Sequence, residues 1–110
     1  KLIESFLAVN KPVGAVCHAS AVLLDIKDSN GEYVIKGKAV AGFTNSEEAA
    51  VELTDIVPFL VEDELIKRGA DYQKADDFHA FAVQDGLIIS GQNPASSELV
   101  AEKLIAQLGA

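Results

Sequence analysis

Apolar positions along the chain change period several times, and each change marks an element. In KLIESFLAV, Leu2, Ile3, Phe6 and Leu7 share one helical face, and Asn10-Lys11-Pro12 ends it. VGAV at 13–16 is short and apolar on both sides, the pattern of a strand buried in a parallel sheet. After Cys17, HASAVLLDI takes helical spacing. Ser29-Asn30-Gly31 reads as a turn, and Tyr33-Val34-Ile35 and 39–43 read as short strands around a loop at Gly37.

Thr44-Asn45-Ser46-Glu47 fits a capping box, in which Thr44 caps a helix and Glu47 reaches back to the cap amide. The pattern predicts that this helix runs on through AAVELTDIV, that Pro58 restarts a second one, and that Gly69 stops it after Arg68. Residues 70–75 form a weak strand. Phe81-Ala82-Val83 and Leu87–Ser90 make the clearest hairpin, with a type I′ turn expected at Asp85-Gly86. Asn93-Pro94 opens a last helix over 95–108, whose apolar face carries Leu99, Val100, Leu104, Ile105 and Leu108. Strands alternate with helices, so the expected class is α/β with a largely parallel sheet. The layout is incomplete, because a doubly wound sheet needs more central strands than one or two.

Composition sharpens this picture. The chain has 110 residues, of which 49% are hydrophobic, a large share for so short a chain. Such an excess predicts elements buried on two faces, or a surface that meets more protein. Seventeen acidic against nine basic residues give a net charge of −8, and no Lys/Arg cluster offers a nucleic-acid or anionic-membrane footprint. Apolar runs are far shorter than the roughly 18 residues of a transmembrane helix. A single cysteine excludes an internal disulfide and a cysteine-based zinc site, and it predicts a reducing, cytoplasmic setting.

That cysteine is the main candidate for chemistry. Cys17 directly follows a buried strand and opens a helical pattern, so it would stand at the strand C-terminal edge where α/β sheets place their sites. A helix N-terminus carries about half a positive charge and favours thiolate over thiol. Gly14, Ala15, Ala19 and Ser20 are small enough for a tight turn similar in kind to a nucleophile elbow. The His18 N–H could hold an oxyanion there. The competing reading is a buried cysteine that only packs. His18 is adjacent in sequence and meets Cys17 only if the turn is sharp. Glu47 and Glu48 also follow a strand, and either could orient the imidazole or simply complement the helix dipole. Glu47 is needed by the capping box, which leaves Glu48 free. His79, in DDFHAF, has no second histidine nearby and reads as a loop or edge-strand residue. Glu62-Asp63-Glu64 reads as a solvated face.

The ordered series AVCHAS, GKAVAGFTNSEE and DGLIISGQNPASS resembles the C-terminal half of the ThiJ/PfpI superfamily, in its glyoxalase III and type 1 glutamine amidotransferase-like branch. The resemblance runs along essentially all of residues 1–110. It implies a flavodoxin-like α/β sandwich, of which this chain is the C-terminal half of one domain. It implies Cys17 as nucleophile, His18 as its base and Glu48 as the acid orienting His18, with Glu47 and Asp25 as rivals for that last role. Asn93 and Pro94 match a family loop near the pocket. Two departures stand out. The family's first strands, glycine-rich oxyanion loop and a glutamate beside the cysteine have no counterpart here, and Ala19 replaces a common glycine, which requires φ below zero or some strain.

The activity so implied is cofactor-free conversion of 2-oxoaldehydes such as methylglyoxal to 2-hydroxy acids, without metal. Its partners would be a small dicarbonyl substrate, the missing N-terminal half or a second chain, and a homodimer mate. The alternatives are a cysteine amidase or peptidase, and a non-catalytic stress chaperone or thiol redox sensor.

Overall fold

The computed structural model describes residues 2–28 and 30–109, so Ser29 of the expected turn lies outside the described residues. The opening apolar face forms helix α1 (Leu2–Ala8), and Asn10 ends it in a left-handed conformation at φ 61°. Leu2 and Phe6 of that face remain exposed, whereas Leu7 packs against the core. Strand β1 (Val13–Val16) follows, with Ala15 buried.

The segment after β1 departs from the predicted helix. Cys17–Leu23 winds as a 3-10 helix, continued by amides that bond three residues back (Leu24 N–H to Ala21 C=O, Ile26 N–H to Leu23 C=O). This tighter winding carries Leu23 and Leu24 into the core, where they meet Ile35, Val40, Val61, Leu65 and Ile88.

Tyr33-Val34-Ile35 is not a strand. Only Tyr33 makes a bridge, to Lys27, and the chain then turns through Lys36 N–H to Tyr33 C=O and Lys38 N–H to Ile35 C=O. Ile35 is fully buried by this turn, which explains its apolar character without a ladder. The expected 39–43 strand pairs over β2 (Ala39–Val40) alone, parallel to β3 (Asp71–Tyr72).

Helix α2 (Asn45–Ala50) starts at the capping box: Glu47 N–H donates to Thr44 Oγ1, and Thr44 N–H donates to the Glu47 carboxylate. It stops well short of the predicted end, with Glu52 at φ 60° and turns leading to Leu60. Helix α3 (Val61–Lys67) then buries Val61 and Leu65 and ends at Gly69, whose φ of 89° suits the residue without a Cβ.

The hairpin is present as β4 (Ala82–Asp85) and β5 (Ile88–Gly91), antiparallel with Asp85 opposite Ile88. The turn is therefore Gly86-Leu87, one residue beyond the expected place. Gly86 has φ 62° at the first central position while Leu87 stays at negative φ, which is the type II′ rather than the I′ arrangement. The hairpin joins β1 through parallel pairing of β1 and β5, from Val13 opposite Ile88 to Val16 opposite Gly91. The sheet order is β1-β5-β4, with β2 and β3 forming a second pair. The class is α/β, and the larger sheet is mixed because β4 runs against its neighbour.

After β5 a short 3-10 turn (Pro94–Ser96) leads into helix α4 (Ser97–Gln107). Gly91 lets this helix approach the sheet: a Cβ there would stand 2.7 Å from Val100 Cγ2 and 3.0 Å from Ser96 Cβ. Of the predicted α4 stripe, Val100 is buried, whereas Ile105 and Leu108 are exposed. No helix among the described residues is long and apolar enough to cross a membrane.

Candidate active site

The C-terminal ends of β1, β2 and β5 bring Cys17, the Phe43-Thr44 junction and the Gln92-Asn93 loop to one side of the fold. Val16 is extended at φ −134°, and Cys17 then turns sharply into the left-handed region at φ 61°. For a residue with a side chain this conformation costs on the order of 1 kcal/mol or more. Ala19 is not among the residues at positive φ, so the glycine replacement is met without strain and the turn is made by Cys17 itself.

The sharp turn brings adjacent side chains together. Cys17 Sγ lies 3.5 Å from His18 Nδ1, and His18 Nε2 lies 2.7 Å from Glu48 Oε2. Glu48 is 1% exposed and its Oε1 has no hydrogen-bond partner in the protein. In the tautomer whose Nε2–H donates to Glu48 Oε2, Nδ1 is the acceptor that faces the thiol. The ring also rests on Phe43, with centroids 4.3 Å apart. Thiol, imidazole and carboxylate in series can draw a proton off sulfur as the sulfur attacks an electrophile.

Glu47, one residue earlier, faces elsewhere. Its Oε1 accepts from the Thr44 N–H and hydroxyl at 3.0 Å each, and its Oε2 accepts from Phe78 N–H and Asn93 Nδ2 at 2.7 Å each. Burial pushes the carboxyl pKa up, but the hydrogen bonds from Thr44, Phe78 and Asn93 outweigh it and hold the group below its ordinary value. Asp25 is engaged elsewhere: its carboxylate is 88% exposed and lies 3.5 Å from Arg68 Nη2. His79 is 71% exposed beside Asp76, and no group of three metal-ligating side chains comes together among the described residues.

The thiol itself departs from the expectation. Its pKa is raised: burial is the largest cause, the His18 N–H bonded to sulfur pulls the other way, and the Glu47 and Glu48 charges add to the rise. A 3-10 turn flanked by two buried carboxylates does not provide the positive field of a long helix. The His18 N–H is also engaged with sulfur. A cavity of about 830 Å³ lies at the other end of the sheet, lined by Leu7, Lys27, Lys38 and Leu87 among others.

Phe43, Phe78 and Asn93 enter the site without having been assigned a role from sequence. Phe43 directly precedes the cap in GFTN, which is the signal that could have placed it.

No family model matches the chain. Glyoxalase 3 of Candida albicans is 37% identical over 100 residues, covering 86% of this chain and 42% of that protein. The glutathione-independent glyoxalase HSP31 of Saccharomyces cerevisiae is 32% identical over 99 residues, 84% of this chain and 42% of that one. The crystal structure of glyoxalase III from Candida albicans superposes with a TM-score of 0.90 at 33% identity, over 96% of this chain and 47% of that one.

The chain's homologues are glyoxalase III and HSP31 proteins. A bovine glutamine amidotransferase-like class 1 domain protein, 25% identical over 105 residues, is consistent with the ThiJ/PfpI branch that the motifs resemble. The chain spans about half the length of the relatives it matches.

Proposed function

We propose that this chain carries the cysteine-bearing, C-terminal half of a glyoxalase III-like active site, which converts 2-oxoaldehydes such as methylglyoxal to 2-hydroxy acids without a cofactor. The observation that supports the reading is the series Cys17 Sγ–His18 Nδ1 at 3.5 Å and His18 Nε2–Glu48 Oε2 at 2.7 Å. Cys17 is the nucleophile, His18 its base, and Glu48 the acid that orients His18.

Because the thiol pKa is raised, the resting group is the thiol, and His18 takes its proton as sulfur adds to the aldehyde carbon. The resulting hemithioacetal keeps the neighbouring ketone. A base removes the proton from the former aldehyde carbon to give an enediol, and a proton returns to the former ketone carbon. The first carbon is thereby oxidised and the second reduced, leaving a 2-hydroxy thioester. Water cleaves the thioester, releasing the 2-hydroxy acid and restoring the thiol, so the sum is dicarbonyl plus water. His18 can serve as the carbon base, as can a residue from the remainder of the domain.

The chain alone is expected to be inactive, since the proposal places the other wall of the pocket in polypeptide outside these residues. A reducing cytoplasmic setting and a homodimer of the complete protein fit the single free cysteine and the exposed Leu2 and Phe6 of α1. Amidase or peptidase chemistry is the second reading, favoured by the similarity to a glutamine amidotransferase-like protein. A redox sensor fits less well, because a thiol with a raised pKa is slow to oxidise.

The test is a lactate assay with methylglyoxal on the complete protein and its Cys17→Ala variant. Lactate formation lost in the variant with its fold retained supports the reading. Retained turnover removes it, and release of ammonia or peptide fragments in place of lactate favours the second.

A further inference from the structure

Glu48 has an unusual support. Its carboxylate is buried, yet one oxygen has no protein partner and the other meets only His18, so its aim depends on where helix α2 begins. That beginning is pinned by Glu47. Oε1 of Glu47 closes the capping box on Thr44, and Oε2 reaches across to Phe78 N–H and Asn93 Nδ2. Asn93 is itself held by a second bond from Nδ2 to His79 C=O and by Ser96 Oγ donating to its Oδ1.

The same carboxylate supports the other side of the imidazole. Phe78 sits at φ 58°, a strained conformation for an aromatic residue, and its N–H is taken by Glu47. In that conformation its ring meets Phe43 edge-on at 5.9 Å, and Phe43 is the surface on which His18 rests. His18 is thus oriented twice, by Glu48 at its Nε2 and by Phe43 beneath its face, and both supports lead to one buried group.

We propose that Glu47 is a positioning residue for the reaction, holding through one carboxylate the acid that orients His18 and the aromatic ring on which it rests. This rests on the Cys17–His18–Glu48 reading above. A residue serving only the cap would need Oε1 alone. The engagement of Oε2 with the loop before β4 and the loop after β5 joins three loops around the imidazole.

The experiment compares Glu47→Gln and Asn93→Ala with wild type in the complete protein, with Ile35→Val as a stability-lowering core control. Two readouts are taken: kcat and KM for methylglyoxal, and the proton resonance of the His18 Nε2–H held by Glu48. Glu47→Gln keeps the side-chain size but turns an NH2 toward two donors on one side. Its kcat is expected to fall by about 10- to 100-fold with KM changed by less than about threefold, and the ring resonance to move or broaden. Asn93→Ala should give a smaller change in the same direction, and Ile35→Val should leave both readouts unmoved. A wild-type resonance and kcat in Glu47→Gln, or equal losses in Ile35→Val, would overturn the proposal. Wild-type protein that does not turn over methylglyoxal removes the functional reading instead, and the resonance comparison alone then decides the positioning role.

Discussion

His18 Nε2 and Glu48 Oε2 stand 2.7 Å apart although thirty residues separate them, and they meet because β1 and β2 end on the same side of the fold. Glu47 shares the first turn of α2 with Glu48 but spends its carboxylate on Thr44, Phe78 and Asn93. Two adjacent glutamates of one type are thus given different work by a rotation of about 100° along the helix.

Glu48→Gln in the complete protein should lower kcat by about 10²- to 10⁴-fold, since the amide no longer fixes which ring nitrogen carries the proton. Asp25→Asn should leave the rate unchanged, because Asp25 is exposed beside Arg68 and Glu48 is the carboxylate that meets the imidazole. Steady-state kinetics of the two variants separate these outcomes, and equal losses in both would contradict the assignment.

Alkylation of Cys17 by iodoacetamide should keep accelerating with pH beyond the ordinary thiol range of about 8.5. Burial, and after it the Glu47 and Glu48 charges, raise the thiol pKa against the pull of the His18 N–H. A rate that levels off near or below neutral pH would show a stabilised thiolate and reverse the sign argued for this site.

Acid stability carries the signature of Glu47. Its folded pKa lies below the unfolded one, so its contribution is fully present above the unfolded value of about 4.3 and disappears as pH falls through the folded value. The urea midpoint of wild type should therefore exceed that of Glu47→Gln at neutral pH, with the gap narrowing only below that range. At neutral pH the gap should correspond to about 1–3 kcal/mol, the scale of leaving buried donors without their acceptor. A gap independent of pH would mean that the charge is not the source.

Gly91→Ala should destabilise the fold by about 1–3 kcal/mol. The new methyl would collide with Val100 and Ser96, and neither can withdraw without moving α4 off the sheet. Thermal unfolding measures this directly. Gly31→Ala serves as a contrast, since only its φ of 78° and no neighbouring atom opposes a side chain there.

Local rules were enough to place much of this molecule. Strand β1, the Thr44–Glu47 cap, the stop at Gly69, the hairpin and helix α4 follow from short-range pattern: alternation, caps and turn residues act within a few positions, so they are visible in the letters. The same capping rule accounts for the bonds between Glu47 and Thr44, while the contact of Glu48 with His18 is not written in any local pattern. Where tertiary contact competes with local preference, pattern failed. Tyr33-Val34-Ile35 has strand composition but turns to bury Ile35, the helix after the cap ends at Ala50, and HASAVLLDI tightens into a 3-10 turn as Leu23 enters the core. The hairpin turn slipped by one residue because pairing of Asp85 with Ile88 sets the register.

The sequence by itself determined the residue types, the caps and the turn points, and so which groups stand at strand ends. Only the tertiary structure decided which of them meet. The convergence of three strand ends sets a 2.7 Å contact between His18 and Glu48, seats the imidazole on Phe43 and ties Glu47 to Asn93. It also decided the direction of the Cys17 pKa, since burial and the charge of two carboxylates are fields summed over space, and no spacing of residues along a chain records them.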